Sequence, residues 1–290
     1  MRILQVCNHF YPCIGGVERY VEDLCKNLIK LGHQSDVLCL NTCAYTNEKL
    51  PECEEYNGIR IFRAPYINFK IYKPAPSVLN FLKNYDIIHI HSLGFFSDFL
   101  ALTKFMHKKP LILSTHGGIF HTKAFSFLKF VYFNLWCRII LKKFDKIIAV
   151  SRSDEKLFSA IASSVELVPN GIEVRDFKIK REVENSTLLY VGRISRNKRI
   201  DNLIETIAAL KKNMPDVRLY IIGEDWEGIL EELKNLAKKR NVESNVVFIG
   251  KIDKREELAE YYSKAKFFIS ASEYEGFGIS VLEAMAAGCV

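Results

Sequence analysis

The chain has 290 residues, which at about 150 residues per domain suggests two domains. Hydrophobic residues make up 49% and charged residues 26%, a balance that excludes a disordered tail or a disulfide miniprotein. The net charge of +7 is uneven: residues 1–170 hold 21 basic against 14 acidic side chains, and residues 171–290 hold 20 against 20.

Strand and helix signals alternate from the first residues onward. Arg2–Cys7 is predicted as a strand, and neither a signal-peptide apolar region nor a small-residue cleavage site follows it, so a cytoplasmic location is expected. Further strands are predicted at Ser35–Leu40, Ile59–Arg63, Asp86–His91, Pro110–Thr115, Lys146–Val150 and Val165–Val168. Several are continuous apolar runs, as in strands buried on both faces of a parallel sheet. Helices are predicted between them at Val17–Leu31, Phe95–Met106, Ala124–Lys143 and Arg152–Ala162; the first repeats apolar residues at 17, 20, 21, 24 and 28, one face of a helix. No apolar run reaches the roughly 20 residues of a membrane span. The eight cysteines (Cys7, Cys13, Cys25, Cys39, Cys43, Cys53, Cys137 and Cys289) include no CxxC pair or zinc spacing, and they read as reduced, structural side chains.

Beyond a polar, aperiodic stretch at Val174–Ser186 the alternation resumes. Strands Thr187–Val191, Val217–Ile222, Asn245–Ile249 and Lys266–Ser270 alternate with helices Asp201–Asn213, Trp226–Arg240 and Arg255–Ser263, and with a last helix from about Gly278. Such alternation implies right-handed βαβ units and doubly wound parallel sheets. The expected architecture is α/β, with domains at 1–172 and 173–290 and a ligand in the cleft between two Rossmann-like halves, beyond the carboxyl ends of the strands.

Four motifs fall at those strand ends. Pro12-Cys13-Ile14-Gly15-Gly16-Val17 opens the first helix with paired glycines, which let backbone amides approach an anion; glycine there also serves plain turn geometry. It is not a GxGxxG fingerprint, and Leu40-Asn41-Thr42 lacks the ribose-binding acid of a dinucleotide enzyme. Ser114-Thr115-His116-Gly117-Gly118 can present a ring nitrogen to a ligand, or His116 can simply cap the next segment. Tyr190-Val191-Gly192-Arg193-Ile194-Ser195-Arg196-Asn197-Lys198 offers the planar fork of Arg193 and the point charge of Lys198 to phosphate oxygens, or it is a solvated basic loop. The strongest motif runs from Glu273 through Glu275-Gly276-Phe277-Gly278-Ile279 to Glu283, where two glycines open a helix start whose free amides suit a diphosphate. A capping box, Ser280-x-x-Glu283, would explain Glu283 but neither Glu275 nor the glycines.

Glu275 and Glu283 frame seven residues, and the string resembles the E-x7-E motif of GT-B glycosyltransferases of the family 4 type. Gly15-Gly16, Val168-Pro169-Asn170-Gly171-Ile172, and Gly192-Arg193 with Lys198 extend the resemblance over essentially the whole chain. It implies transfer of a sugar from a nucleotide-diphosphate sugar, UDP- or GDP-linked, with retention and with neither metal nor cofactor. By position, Arg193 and Lys198 would stabilise the leaving diphosphate and Glu283 would hold the ribose. Glu275 would contact sugar hydroxyls, near the backbone of Gly276, Phe277, Gly278 and Ile279. His116 would lie beside the reacting sugar and Gly16 near the diphosphate and acceptor. Gly223, Lys251 and Ile252 would line the base pocket. The chain departs from the pattern at Arg199, where family members usually carry glycine. It also stops at Ala287-Gly288-Cys289-Val290, where the family continues with further strand–helix units; the resemblance therefore implies a truncated second domain and weak activity of this form.

A nucleotide-sugar epimerase of related two-domain architecture is the alternative enzyme, and a non-catalytic binding protein is a third reading. No nucleic-acid-binding module accompanies the basic residues. Residues 102–146 hold nine basic side chains and one acid, around the aromatic-rich run Phe125–Trp136. That pairing of apolar and cationic side chains suits an anionic membrane surface, and predicts a peripheral protein on the cytoplasmic face with a lipid-linked or glycan acceptor. The competing reading is a core helix with a solvated basic face.

Overall fold

The structure is a computed structural model that describes residues 1–13, 15–43, 48–69, 72–117 and 126–290. It divides into two compact units, Met1–Gly171 and Ile172–Val290.

The first unit runs β1 (Arg2–Val6), α1 (Gly16–Lys30), β2 (Gln34–Leu40), β3 (Cys53–Tyr56), β4 (Ile59–Ala64), β5 (Ile87–His91), α2 (Phe95–Leu102), α3 (Lys104–His107), β6 (Leu111–Ser114), α4 (Ser126–Val131), α5 (Cys137–Ile140), β7 (Lys146–Ala149), α6 (Arg152–Ser159) and β8 (Val165–Leu167). Its eight-stranded sheet has the order β3-β4-β2-β1-β5-β6-β7-β8. Every pairing is parallel except β3 with β4. The central strands are buried on both faces, one wholly apolar (Leu4, Val6, Leu38, Ile88, Ile90, Leu113) and the other holding Gln5, His89 and His91 beside Val37 and Cys39. β3 was not anticipated, because its Cys-Glu-Glu-Tyr sequence is too polar to read as a strand. Its signal is the Asn57-Gly58 turn that follows, where both residues take positive φ (52° and 76°), the requirement of a tight hairpin. The expected helix at 95–106 is broken at Thr103, whose hydroxyl donates to the Phe99 carbonyl at 2.6 Å. A 3-10 helix at Pro76–Asn84, also not foreseen, buries Val78 and Leu82.

Two sequence expectations need correction here. Cys13 and Cys43 form a disulfide, so not all the cysteines are free thiols; Cys7, Cys25, Cys39 and Cys137 are the buried hydrophobes expected, and Cys53 is exposed. The run 126–143 is neither a plain core helix nor a wholly exposed one. α4 passes through a π-helical turn at Tyr132–Trp136, α5 and a final 3-10 turn at Leu141–Lys143. Phe133, Cys137, Ile140 and Leu141 are buried while Phe127, Leu128, Phe130, Leu135 and Ile139 are exposed. Lys123, Ala124 and Phe125 of that expectation, with Ile14 and Gly118 of the two glycine motifs, lie outside the described residues.

The second unit runs β9 (Glu184–Val191), α7 (Ile200–Leu210), β10 (Arg218–Ile222), α8 (Leu230–Lys239), β11 (Val246–Gly250), α9 (Arg255–Lys264), β12 (Ala265–Phe268) and α10 (Ile279–Ala286). Its sheet is wholly parallel in the order β11-β10-β9-β12. α8 begins four residues later than the sequence suggests. Gly228 takes φ 68°, and the Asp225 carboxylate accepts the amides of Ile229 and Leu230 at 3.0 and 2.9 Å, so the helix is capped from the loop. The aperiodic 174–186 stretch contains the start of β9 and a 3-10 turn that seats Phe177 against Tyr262.

Candidate active site

In the second unit, β9 and β10 end side by side and their loops stay paired. The Gly192 amide donates to the Ile222 carbonyl at 2.9 Å, that of Ile194 to Glu224 at 2.8 Å, and that of Trp226 to Ile194 at 2.9 Å. A Cβ at Gly223 would overlap the Gly192 carbonyl oxygen; glycine is required because the two backbones touch. A Cβ at Gly192 would meet the Tyr190 hydroxyl at 2.8 Å. That hydroxyl donates to the Arg193 carbonyl at 2.9 Å, and burial pushes the phenol's pKa up. The backbone of Arg193 is therefore fixed while its side chain is exposed, with the guanidinium over the Trp226 ring at 5.1 Å. Trp226 carried no motif signal in the sequence; only the β9–β10 pairing places it there.

Lys198 lies across the sheet edge from the loop after β12. Its ammonium meets the Glu275 carboxylate at 2.5 Å with the lysine side chain only 14% exposed. The two loops are tied by Asn197, which donates to the Tyr274 carbonyl at 3.0 Å and accepts the Glu273 amide at 2.9 Å. At the departure from the family pattern, Arg199 adopts the left-handed conformation (φ 49°, ψ 46°) that glycine favours. The turn is thus kept with arginine in it, and the guanidinium binds Asp201 at 2.8 Å and Glu273 at 3.1 Å.

α10 starts at Ile279 with Gly278 as its cap in the left-handed region (φ 83°). Gly276 and Phe277 are half-buried in the approach, and the first-turn amides of a helix point outward without partners in it. Ser280 is already inside the helix, so the capping box with Glu283 does not form. Glu283 is buried and accepts the Tyr262 hydroxyl at 2.8 Å, from a tyrosine that belongs to no motif. At the end of β11, Lys251 pairs with Asp253 at 2.7 Å. Ile252 is buried in the core with Leu189 and Tyr262. Burial raises the pKa of Glu224, opposed by the Lys251 charge.

In the first unit, the carboxyl ends of β1, β5 and β6 gather a cluster that the sequence showed only in part. Gly16 is exposed at the start of α1, and the Gly15 amide donates to Glu18 at 3.0 Å. His116 takes a left-handed backbone (φ 47°). Asp154 of α6 holds its loop, accepting the Gly117 amide at 2.8 Å and the Thr115 hydroxyl. The His116 ring lies 3.0 Å from His91 Nδ1 through its Nε2, and the Tyr20 ring packs edge-on at 5.1 Å. Burial pushes His116 down to about 3 and His89 to about 4, and holds His91 well below the usual histidine range. All three rings are neutral at pH 7.

Two doubly wound parallel sheets with glycine-rich loops at their carboxyl edges define the GT-B class of α/β enzyme. Residues 14–176 match the model described as Glycosyltransferase Family 4, and residues 172–290 that of Glycosyl transferases group 1. The chain belongs to this family and is a glycosyltransferase. It is 33% identical to a GDP-mannose:cellobiosyl-diphosphopolyprenol alpha-mannosyltransferase from Xanthomonas oryzae pv. oryzae, over all of this chain and 77% of the relative. It is 29% identical to an alpha-monoglucosyldiacylglycerol synthase from Streptococcus pneumoniae, over 99% of this chain and 70% of that one. Among solved structures it is similar to Anabaena HepE in complex with UDP and glucose, with a TM-score of 0.74, 18% identity, and coverage of 100% and 79%. The family match sets aside the epimerase alternative.

Proposed function

We propose that the chain moves a hexosyl group from a UDP- or GDP-linked sugar to a lipid-linked acceptor at an anionic membrane surface, with retention and without a metal. The observation that carries this reading is the meeting of Lys198 with Glu275 at the edge of the second sheet, one loop away from the exposed guanidinium of Arg193. Breaking the sugar–phosphate bond develops negative charge on the diphosphate. Two cations and the start of α10 stand where that charge can be met. Before donor binds, Glu275 occupies the Lys198 ammonium; the diphosphate would take over that cation and release the carboxylate toward the sugar hydroxyls. Glu283, oriented by Tyr262, serves the ribose, and Gly223 and the Lys251 loop serve the base. His116 and Gly16 of the first unit serve the sugar and the acceptor side. This reading assigns no second carboxylate among the described residues to a double displacement and takes attack on the leaving-group face as the route.

The membrane part rests on residues 102–143. Phe105 (76% exposed) and Met106 on α3, and Phe127 (79% exposed), Leu128, Phe130 and Ile139 on the α4–α5 run, are all exposed, and Lys104 ties α3 to the end of that run at the Lys143 carbonyl (2.7 Å). Lys129, Arg138, Lys142 and Lys143 stand among them. Exposed aromatic side chains with interspersed cations insert into a headgroup region, each cation contributing roughly 1 kcal/mol. No helix among the described residues is long and apolar enough to cross a membrane. The mannosyltransferase and diacylglycerol-synthase relatives, whose names give lipid-linked products or acceptors, support the same reading. The test is a donor screen that measures nucleoside diphosphate release with a polyprenyl-diphosphate or diacylglycerol acceptor in acidic vesicles. Release that depends on acceptor and vesicle supports the proposal; release with a soluble acceptor alone would remove its membrane part.

A further inference from the structure

Gln5, at the middle of the first sheet, has no solvent contact, yet its side chain decides the protonation of a ring two strands away. The Ser35 hydroxyl donates to Cys25 Sγ at 3.3 Å. Its oxygen is therefore left to accept, and it accepts the Gln5 Nε2 amide at 3.3 Å. This orients Gln5 with Oε1 toward His91 Nε2, 2.9 Å away. An amide oxygen can only accept, so the proton of His91 sits on Nε2 and its Nδ1 is a bare lone pair. That lone pair faces His116 Nε2 at 3.0 Å, which must then carry the proton. The only ring nitrogen of His116 left for a ligand is Nδ1, and it is an acceptor.

We propose that His91 is a positioning residue for the transfer reaction: by accepting His116 Nε2–H and donating to Gln5 it fixes His116 as the tautomer whose Nδ1 accepts a sugar hydroxyl. This rests on the reading of His116 as a sugar-side residue. The rest of the ring's surroundings support a fixed orientation. Asp154 holds the residues on both sides of His116, through the Thr115 hydroxyl and the Gly117 amide, and Tyr20 packs edge-on to the rings of both His116 and His91 (5.1 and 6.0 Å). The His89 ring lies 4.3 Å from that of His91 and spends its own Nε2 on Ser114 at 2.8 Å. A charge on any of these three closely packed rings would cost desolvation energy, which is why the relay runs through neutral histidines. The device thus supplies an acceptor of set direction without placing a charge beside a carbon that develops positive charge.

Nitrogen-15 NMR of the histidine-labelled whole chain reads the tautomer directly. The expected spectrum shows His116 protonated at Nε2 and bare at Nδ1, and a native chain with His116 protonated at Nδ1 overturns the proposal. Turnover is then followed by nucleoside diphosphate release from GDP-mannose and UDP-glucose. His91→Phe removes the acceptor in a side chain of similar size, and kcat is expected to fall on the order of 100-fold, as for a misplaced catalytic contact, with donor KM little changed. His91→Asn, whose Oδ1 stands where Nδ1 stood, should restore most of kcat. In a His116→Ala background, His91→Phe should add no further loss, since residues acting through one another are non-additive. Normal kcat in His91→Phe beside a crippled His116→Ala would refute the positioning role. Normal turnover by His116→Ala overturns the reading of His116 and this proposal with it. The native spectrum separates the two failures, because the relay is then either present and dispensable or absent.

Discussion

The two units meet the same task, presenting polar groups at the carboxyl edge of a parallel sheet, with opposite electrostatics. In the second unit the groups are formal charges left at the surface: Arg193 is exposed over Trp226, and Lys198 is paired with a half-exposed Glu275. In the first they are neutral rings, His89 and His91 buried and His116 half-buried, bonded to Ser114, to Gln5 and to each other. A buried charge without a matched partner costs several kcal/mol, whereas a buried neutral ring with both nitrogens bonded costs little. The half of the chain with the excess of seven positive charges thus builds its site from uncharged histidines. The half with no net charge holds Arg193 and Lys198, the cations we propose for a diphosphate. Net charge reports on surfaces; the site must be found from geometry.

The contrast is sharpened first where the effect should be largest. Arg193→Ala and Lys198→Ala are each expected to lower kcat on the order of 100- to 1,000-fold while leaving the melting temperature unchanged, as for loss of one preorganised charge donor. Near-normal turnover by both would break the assignment of charge to the second unit.

The neutral relay should show itself in the stability of the protein against pH. His89 and His116 titrate at about 4 and about 3 in the folded state, and His91 well below the ordinary 6.5. Below pH 6.5 the unfolded chain binds protons that the folded chain refuses, so the stability these residues contribute is complete above that value and is lost as pH falls. Each contributes a slope of up to roughly 1.4 kcal/mol per pH unit in that window. Denaturant unfolding between pH 7.5 and 5 checks this, and a triple His89→Phe, His91→Phe, His116→Phe variant, if it folds, should lose most of the slope and keep the share of His9, which burial also pushes down to about 4. A pH-independent midpoint in the native chain would mean that the rings are not buried neutral.

Smaller effects are expected at the surfaces. Lys142→Glu with Lys143→Glu should weaken flotation with acidic vesicles by at least 10-fold at low salt, at roughly 1 kcal/mol per cation, with no change on neutral vesicles. The smallest effect belongs to Arg199→Gly. Relief of the left-handed backbone, about 1 kcal/mol, offsets exposed ion pairs to Asp201 and Glu273 that contribute up to about 1 kcal/mol each. Stability should stay within about 1 kcal/mol of native, measured by denaturant midpoint.

What could be read in the chain before its structure follows from where its information is local. Continuous apolar runs such as Phe267–Ile269 and the glycines at 276 and 278 are local signals, and they located the sheets and the loop before α10. Glu275 and Lys198 were each visible as residue types at strand ends, but their pairing crosses 77 positions and depends on β12 lying beside β9. Trp226, Tyr262 and Gln5 were invisible for the same reason, since each acts on a residue brought near only by strand order. The β3 hairpin was local and missed, because its Asn57-Gly58 turn follows a strand too acidic to attract notice. The exposed apolar face of 127–139 was legible only as one of two readings, an interfacial segment or a core helix, because helical periodicity cannot tell which of two apolar faces the sheet will cover.

The central claim is that the carboxyl edge of the second sheet binds a nucleoside diphosphate through Arg193 and Lys198. Hydrogen–deuterium exchange of the whole chain with and without GDP, and with and without UDP, tests it most directly. At least one nucleotide should protect residues 192–199, 223–226 and 274–283, and the protection should vanish in Lys198→Ala. Binding without protection of those segments, or protection that survives in Lys198→Ala and Arg193→Ala alike, would contradict the account.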